Sequence, residues 1–230
     1  MNSGNAVLLM SGGLDSTTLL ALAVSEGYAV HTLSFDYGQR HRSELEQAPR
    51  LAIRYGAASH HTVRLDPLPF EHSALTGEGP DALLLDRTRE EIGGGIPASY
   101  VPARNLVFLS MAAAYAEMLP ARTLFIGVNS MDYSGYPDCR PEFIDAFTRA
   151  VNLGTSAADS GRDFILKTPL LHCTKAEIIR LGISLCVDYS ETVSCYQADG
   201  EGRACGHCDA CILRRDGFAR AGVPDPTRYI

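Results

Sequence analysis

Residues 6–10, Ala-Val-Leu-Leu-Met, run directly into Ser11-Gly12-Gly13-Leu14-Asp15-Ser16-Thr17-Thr18, and a helical pattern follows with Leu19, Leu20 and Ala23 on one face. A short apolar run bounded by a turn signal reads as a buried strand. Adjacent glycines let the chain turn tightly and bring its backbone close to an anion. The helix that opens there directs unpaired N–H groups and the positive end of its dipole at the same spot. Ser11, Ser16 and Thr17 add hydroxyl donors. Strand, loop and helix together predict a phosphate cradle built mostly from backbone. A plain turn with Asp15 or Ser16 as helix cap is the simpler role for the same residues.

The same two patterns alternate along the rest of the chain. Strands are expected at 29–35, 59–65, 122–128 and 164–166. Helices are expected at 43–55, 104–119 and 141–153, and again after Thr174, where Glu177 completes a capping box. Pro49 inside the first of these helices predicts a kink or a late start. Residues 66–98 hold Pro67, Pro69, Gly77, Gly79, Pro80 and Gly93-Gly94-Gly95, and read as a long loop with a short helix at 86–91. Regular alternation of strand and helix predicts an α/β fold, a doubly wound, Rossmann-like parallel sheet covered on both faces. Its ligand site belongs at the carboxyl ends of the strands. The expected division is an α/β domain over 1–190 and a C-terminal zinc-binding segment, 191–230, packed on it.

Composition narrows the chemistry. Of the 20 basic residues only Lys167 and Lys175 are lysines, so the glycine loop is not a Walker A motif, and Gly-x-Gly-x-x-Gly is absent as well. A net charge of −7 weighs against a broadly basic nucleic-acid-binding surface. The longest apolar stretch, 106–119, is interrupted by Ser110 and Glu117 and falls short of the roughly 20 residues that a membrane-spanning helix needs. Residues 1–5 carry no positive charge, unlike the start of a secretory leader. The expectation is a cytoplasmic protein with no membrane or nucleic-acid partner.

Seven cysteines are present, and four of them, Cys195, Cys205, Cys208 and Cys211, crowd one glycine-rich stretch. Bunching at spacings of two, in a reducing compartment, points to a metal rather than to disulfides. Four thiolates suit one tetrahedral, structural Zn²⁺. The same spacing also suits an iron–sulfur cluster. His207, between two ligands, is expected to point outward. Cys186, in Leu185-Cys186-Val187, and Cys173 read as packing residues. Cys139 lies in a polar loop, where packing is favoured over reactivity.

The Ser-Gly-Gly-x-Asp-Ser loop resembles the pyrophosphate loop of the N-type ATP pyrophosphatases. Further segments resemble one family among them, the 7-cyano-7-deazaguanine synthases of the queuosine precursor pathway. They are Phe35-Asp36-Tyr37-Gly38-Gln39-Arg40-His41, Val101-Pro102-Ala103-Arg104-Asn105, Gly127-Val128-Asn129, Asp132 to Pro141, Thr168-Pro169-Leu170 with Lys175 and Glu177, Ser194-Cys195-Tyr196, 204–211, and Asp225-Pro226-Thr227 with Tyr229. They span nearly the whole chain in order. Val193 stands where the family often has tryptophan, and Pro49 is unusual in its helix.

The resemblance implies that 7-carboxy-7-deazaguanine, ammonia and ATP give the 7-cyano compound. The steps it implies are carboxylate adenylation, amide formation and dehydration to the nitrile, in a homodimer. It places ATP on Met10, Ser11, Gly12, Gly13, Leu14, Asp15, Ser16, Thr17, Thr18, Leu19 and Leu20, with Asp15 helping to hold Mg²⁺. Ser11, Asp15 and Ser16 join Lys175 and Arg104 as candidate catalytic residues, the two cations pairing with phosphates or the substrate carboxylate. Asp132 and Asp138 are candidates for the guanine-like donor edge, with turn formation as their other role. Tyr133 and Tyr136 are candidates to stack on the deazapurine. Two other readings are another pyrophosphatase, such as a tRNA-thiolation enzyme, and a non-catalytic zinc-knuckle protein. The first would want a basic face, and the second leaves the glycine loop without a purpose.

Overall fold

The computed structural model describes residues 3–40, 42–71, 73–76, 85–92, 95–129 and 135–230. Five strands, β1 (Asn5–Leu9), β2 (Ala29–Asp36), β3 (Ser59–Arg64), β4 (Thr123–Phe125) and β5 (Ile165–Lys167), form one sheet in the order β3-β2-β1-β4-β5. Every neighbouring pair is parallel, with Ala6 facing Val30 on one side and Thr123 on the other. Parallel neighbours need crossovers, and helices supply them. Among the described residues these are α1 (Leu14–Ser25), α2 (Ser43–Arg54), α3 (Arg89–Ile92), α4 (Arg104–Met118), α5 (Pro141–Gly154), α6 (Ala157–Ser160), α7 (Lys175–Ser184) and α8 (Asp209–Ala221).

Side chains of β1 alternate between two cores. Val7 faces a cluster with Leu109 and Ala112 of α4 and Ile144 and Phe147 of α5. Ala6 and Leu8 face Leu19 and Leu20 of α1, Leu51 of α2, Ile178 and Ile179 of α7, and Phe218 of α8. Burial on both faces explains why 6–10 carries no polar residue. The chain winds outward from β1 through β2 to β3, then returns to place β4 on the other side of β1. That reversal opens a crevice above the carboxyl ends of β1 and β4, where ligands of such sheets bind.

Several local features differ from expectation. α2 begins at Ser43 and runs through Pro49, so there is no late start. Its first turns are pressed onto the glycine loop, and that packing offsets the hydrogen bond Pro49 lacks. β4 is three residues long, because 126–128 leave the ladder to line the crevice. α3 begins at Arg89, later than the helix expected at 86–91. Thr88 sets its start: the Thr88 amide donates to Glu91 Oε2 at 2.7 Å, and the Glu91 amide donates to Thr88 Oγ1 at 3.3 Å. This Thr-x-x-Glu box is a second capping signal in the sequence. The Thr174–Glu177 box forms as expected. Cys186 is exposed, not core: it takes φ +60° just after α7, where the chain turns so that the Val187 amide can reach the Gly182 carbonyl.

The C-terminal segment serves both cores and the crevice. Phe218 is 2% exposed within the second core, while the four clustered cysteines pack with Ala204 and Tyr229. No described helix is long and apolar enough to cross a membrane.

Gly12 joins α2 to the loop. It sits at φ +91°, and a Cβ there would overlap the Glu44 carbonyl oxygen and lie 3.1 Å from the Ala48 nitrogen. Left-handed strain and overpacking together set the cost of Gly12→Ala at about 2–5 kcal/mol. Urea unfolding is expected to show a lowered midpoint with an unchanged slope.

Candidate active site

A cavity of about 320 Å³ opens at the switch point of the sheet. Its floor is the end of β1 and the loop 11–16. Its walls come from the end of β2, the first turns of α2 and α4, residues 126–128, Lys175 of α7, and the C-terminal segment.

The loop is held by serines. The Ser11 and Gly12 amides both donate to Ser16 Oγ at 3.2 Å, and the Gly13 amide donates to Ser11 Oγ at 3.1 Å. The two hydroxyls lie 3.0 Å apart. Neither Asp15 nor Ser16 caps α1, since Gly13 holds the cap position. The loop amides therefore converge on the two serine hydroxyls, which fixes the shape of the loop at the cavity floor. Thr17 and Thr18 instead return their hydroxyls to the Gly13 and Leu14 carbonyls, and they, Leu19 and Leu20 are buried in the helix. Of the candidate nucleotide residues 10–20, those from Met10 to Ser16, apart from Gly12, line the cavity.

Asp15 meets Lys175 across the cavity floor, with Nζ 2.6 and 2.9 Å from its two carboxylate oxygens. The Asn129 side-chain amide donates to Asp15 at 3.1 Å. Lys175 begins α7, where the helix dipole disfavours a cation. Its stem is directed by α8, because Gly217 leaves the space: a Cβ there would lie 2.5 Å from Lys175 Cγ. Arg104 begins α4 and donates to the Tyr37 hydroxyl at 3.1 Å, with no carboxylate partner among the described residues. Lys175 and Arg104 thus both line the cavity, the first in an ion pair with Asp15 and the second hydrogen-bonded to Tyr37.

Tyr136 lines the cavity, and its hydroxyl lies 2.8 Å from Ser99 Oγ. Asp138 does not line it. Its Oδ2 accepts the Asn105 amide at 2.9 Å, so it caps α4 from outside, where Ala103 at φ +55° offers no cap of its own. The role of Asp138 seen here is structural, and it fixes the start of the helix that carries Arg104. Asp132 and Tyr133 lie outside the described residues. Cys139 is buried at the cavity wall and accepts a hydrogen bond from the Asn105 side chain at 3.1 Å.

Besides Val193, three contributors lie outside the candidate site residues read from the sequence. Ser194 accepts the Leu14 amide at 3.3 Å, reaching the loop from the C-terminal segment. Arg214, 3% exposed, holds Ser194 at 3.3 Å, Thr192 Oγ1 at 2.9 Å and the Tyr189 carbonyl at 2.7 Å. The Val193 amide donates to the Gly12 carbonyl at 3.4 Å, a backbone contact that is indifferent to the absence of a tryptophan. Glu44, the third, has its carboxyl beside Gly13. Its burial, opposed by Arg104 and reinforced by Asp15 and Cys208, pushes that carboxyl up to about 8.

The four cysteines converge beside this wall, their sulfurs all within 4.8 Å of one another. Cys208 lies 3.5 Å from Cys211 and 4.0 Å from Cys195, and Cys205 lies 4.0 Å from Cys211. A tetrahedral ion with zinc–sulfur bonds of about 2.3 Å separates its sulfurs by about 3.8 Å. The donor set therefore fits one zinc. A cluster of several irons would hold the thiolates farther apart. Hydrogen bonds from the Cys208 and Cys211 thiols, and from the Cys205 and Gln197 amides, pull the Cys195 thiol down to about 4. His207 points away, its Nδ1 2.6 Å from Asp86.

Comparison with known proteins agrees with this geometry. Residues 5–222 match the family described as queuosine biosynthesis protein QueC. A 7-cyano-7-deazaguanine synthase of Pseudomonas paraeruginosa (strain DSM 24068 / PA7) is 55% identical over 231 residues, covering all of both chains. One from Thiobacillus denitrificans (strain ATCC 25259 / T1) is 58% identical over 97% of each. Among solved structures, a 4-thiouridine synthetase–RNA complex with bound ATP superposes with a TM-score of 0.53 at 17% identity, over 99% of this chain and 48% of that one. NMN synthetase from Francisella tularensis gives 0.51 at 17%, over 96% and 78%. These two share the fold. The chain belongs to the QueC family of queuosine biosynthesis, whose full-length relatives are 7-cyano-7-deazaguanine synthases.

Proposed function

We propose that the cavity converts 7-carboxy-7-deazaguanine and ammonia to 7-cyano-7-deazaguanine, with ATP cleaved to AMP and pyrophosphate at each activation. The observation that carries this reading is the convergence of the serine-held loop, the Asp15–Lys175 pair and Arg104 on one cavity. A carboxylate is a poor electrophile, and transfer of its oxygen to the α phosphorus supplies the leaving group that ammonia displaces. The amide oxygen is then activated in the same way and leaves with AMP as the nitrile forms. Loop amides and the Ser11 and Ser16 hydroxyls take up charge on the departing pyrophosphate. Lys175 and Arg104 neutralise the two approaching anions, which otherwise repel each other.

Asp15 is the residue to hold Mg²⁺, since one carboxylate with phosphate oxygens is a usual set for that ion, which when bound neutralises phosphate charge. Tyr136 is assigned to the deazapurine, as are Tyr133 and Asp132 on the strength of the sequence resemblance. Four unoxidised cysteines that fit one zinc support a reducing, cytoplasmic setting. Exposed Leu106, Met111 and Met118 along α4 support a homodimer.

The test is incubation of the zinc-loaded protein with ATP, Mg²⁺, ammonium and the carboxy-deazaguanine, followed by mass spectrometry. The expected result is the nitrile with two AMP per product, the amide appearing transiently. Folded, zinc-loaded protein that forms no nitrile would overturn the reading.

A further inference from the structure

Among the described residues two carboxylates line the cavity, Asp15 and Glu44. Asp15 is held by Lys175 and Asn129. Glu44 makes no hydrogen bond or ion pair among the described residues, although it stands in the same cavity. Its Oε1 lies 3.1 Å from the point a Gly13 Cβ would occupy, and Ser11 Oγ lies 3.3 Å from that point. The carboxyl is therefore beside the phosphate loop. Its place is not adjustable, because α2 is wedged against Gly12 at Glu44 and Ala48.

Arg104 opposes an ammonium ion, and the charges of Asp15 and Lys175 match each other. Among the described residues, Glu44 is the cavity-lining carboxylate that makes no ion pair, although the charge of Arg104 acts on it. Resting on the function proposed above, we infer that Glu44 binds the ammonium ion and takes its proton, delivering ammonia to the acyl adenylate. One N–H bond breaks at ammonium and one O–H bond forms at Glu44. The nitrogen lone pair then forms the C–N bond at the activated carbonyl carbon. The C–O bond to AMP breaks, AMP leaves with that electron pair, and the adduct's surplus proton goes to a phosphate oxygen of the departing AMP.

The local charges suit this role. Arg104 from α4, Asp15 from α1 and Cys208 ahead of α8 face the carboxyl, and burial raises its basicity toward that of ammonium. An ordinary glutamate is far too weak a base for that transfer.

The test compares two nucleophiles in the zinc-loaded enzyme, ammonium and hydroxylamine. Hydroxylamine is neutral near pH 7.5 and needs no proton removed before it attacks. Glu44→Gln is expected to lower kcat/KM for ammonium about 100-fold. Its rate with hydroxylamine, and its carboxylate-dependent ATP–pyrophosphate exchange, should stay within about threefold of wild type. Equal losses with both nucleophiles, or no loss with ammonium, would overturn the inference. If Glu44→Gln does not fold, Glu44→Asp carries the same comparison, with a loss of about tenfold confined to ammonium. Failure of the functional reading is distinct, because wild type would then form neither amide nor nitrile.

Discussion

Cys208→Ser is expected to lower the melting temperature by about 8–16 °C and to abolish carboxylate-dependent pyrophosphate release. The fall corresponds to about 4 kcal/mol at about 2–4 °C per kcal/mol for a chain of this size. Four sulfurs within 4.8 Å of one another, three of them buried, repel or leave voids unless an ion joins them. Structural zinc contributes about 10–16 kcal/mol in isolated fingers, so even a fraction of that is a large part of a domain's stability of about 5–15 kcal/mol. Activity should fail with stability because Cys208 is also the N-cap of α8. That helix carries Arg214, which holds Ser194 on the loop, and Gly217, which admits the stem of Lys175. Differential scanning fluorimetry with and without a chelator reads the first effect, and pyrophosphate release reads the second. Chelated protein with an unchanged melting temperature would remove zinc from the account of folding.

Lys175→Ala is expected to lower ATP–pyrophosphate exchange about 100- to 1000-fold with little loss of stability. Removing one preorganised charge partner from developing phosphate charge has that magnitude. Stability should change little, since the Lys175 side chain is 18% exposed and its partner Asp15 is 23% exposed, within reach of water. Lys175→Arg restores the charge but not the geometry, because the stem runs against Gly217, so only partial recovery is expected. Wild-type exchange in the alanine variant would reduce the Asp15–Lys175 contact to a structural ion pair.

Much of this architecture was readable from residues near one another in the chain. β1 and the Ser11–Thr18 loop lie where the apolar run and the glycines place them, and the Thr174 capping box forms. The metal set Cys195, Cys205, Cys208 and Cys211 converges as its spacing suggests. Misreadings came where packing overrode a local rule. Pro49 sits within an uninterrupted α2 because that helix is pressed onto Gly12. An apolar neighbourhood suggested a buried Cys186, yet the chain turns there and exposes it. Asp138 could have served a ligand or a turn, and it caps a helix that starts 34 positions earlier, through a hydrogen bond to Asn105.

The glycine loop, the cysteine spacing and the strand–helix alternation are local codes, set by backbone geometry and by periods of two and 3.6 residues. They determined the fold class, the glycine loop between β1 and α1, and the four-cysteine metal-binding set, while the sulfur separations favour zinc over an iron–sulfur cluster. Tertiary structure alone decided which residues surround that site. Lys175 meets Asp15 across a separation of 160 residues, and Ser194 meets Leu14 across 180. Glu44 reaches the same loop from α2. Such meetings depend on how helices pack over a shared sheet, where distance in the chain carries no information about distance in space.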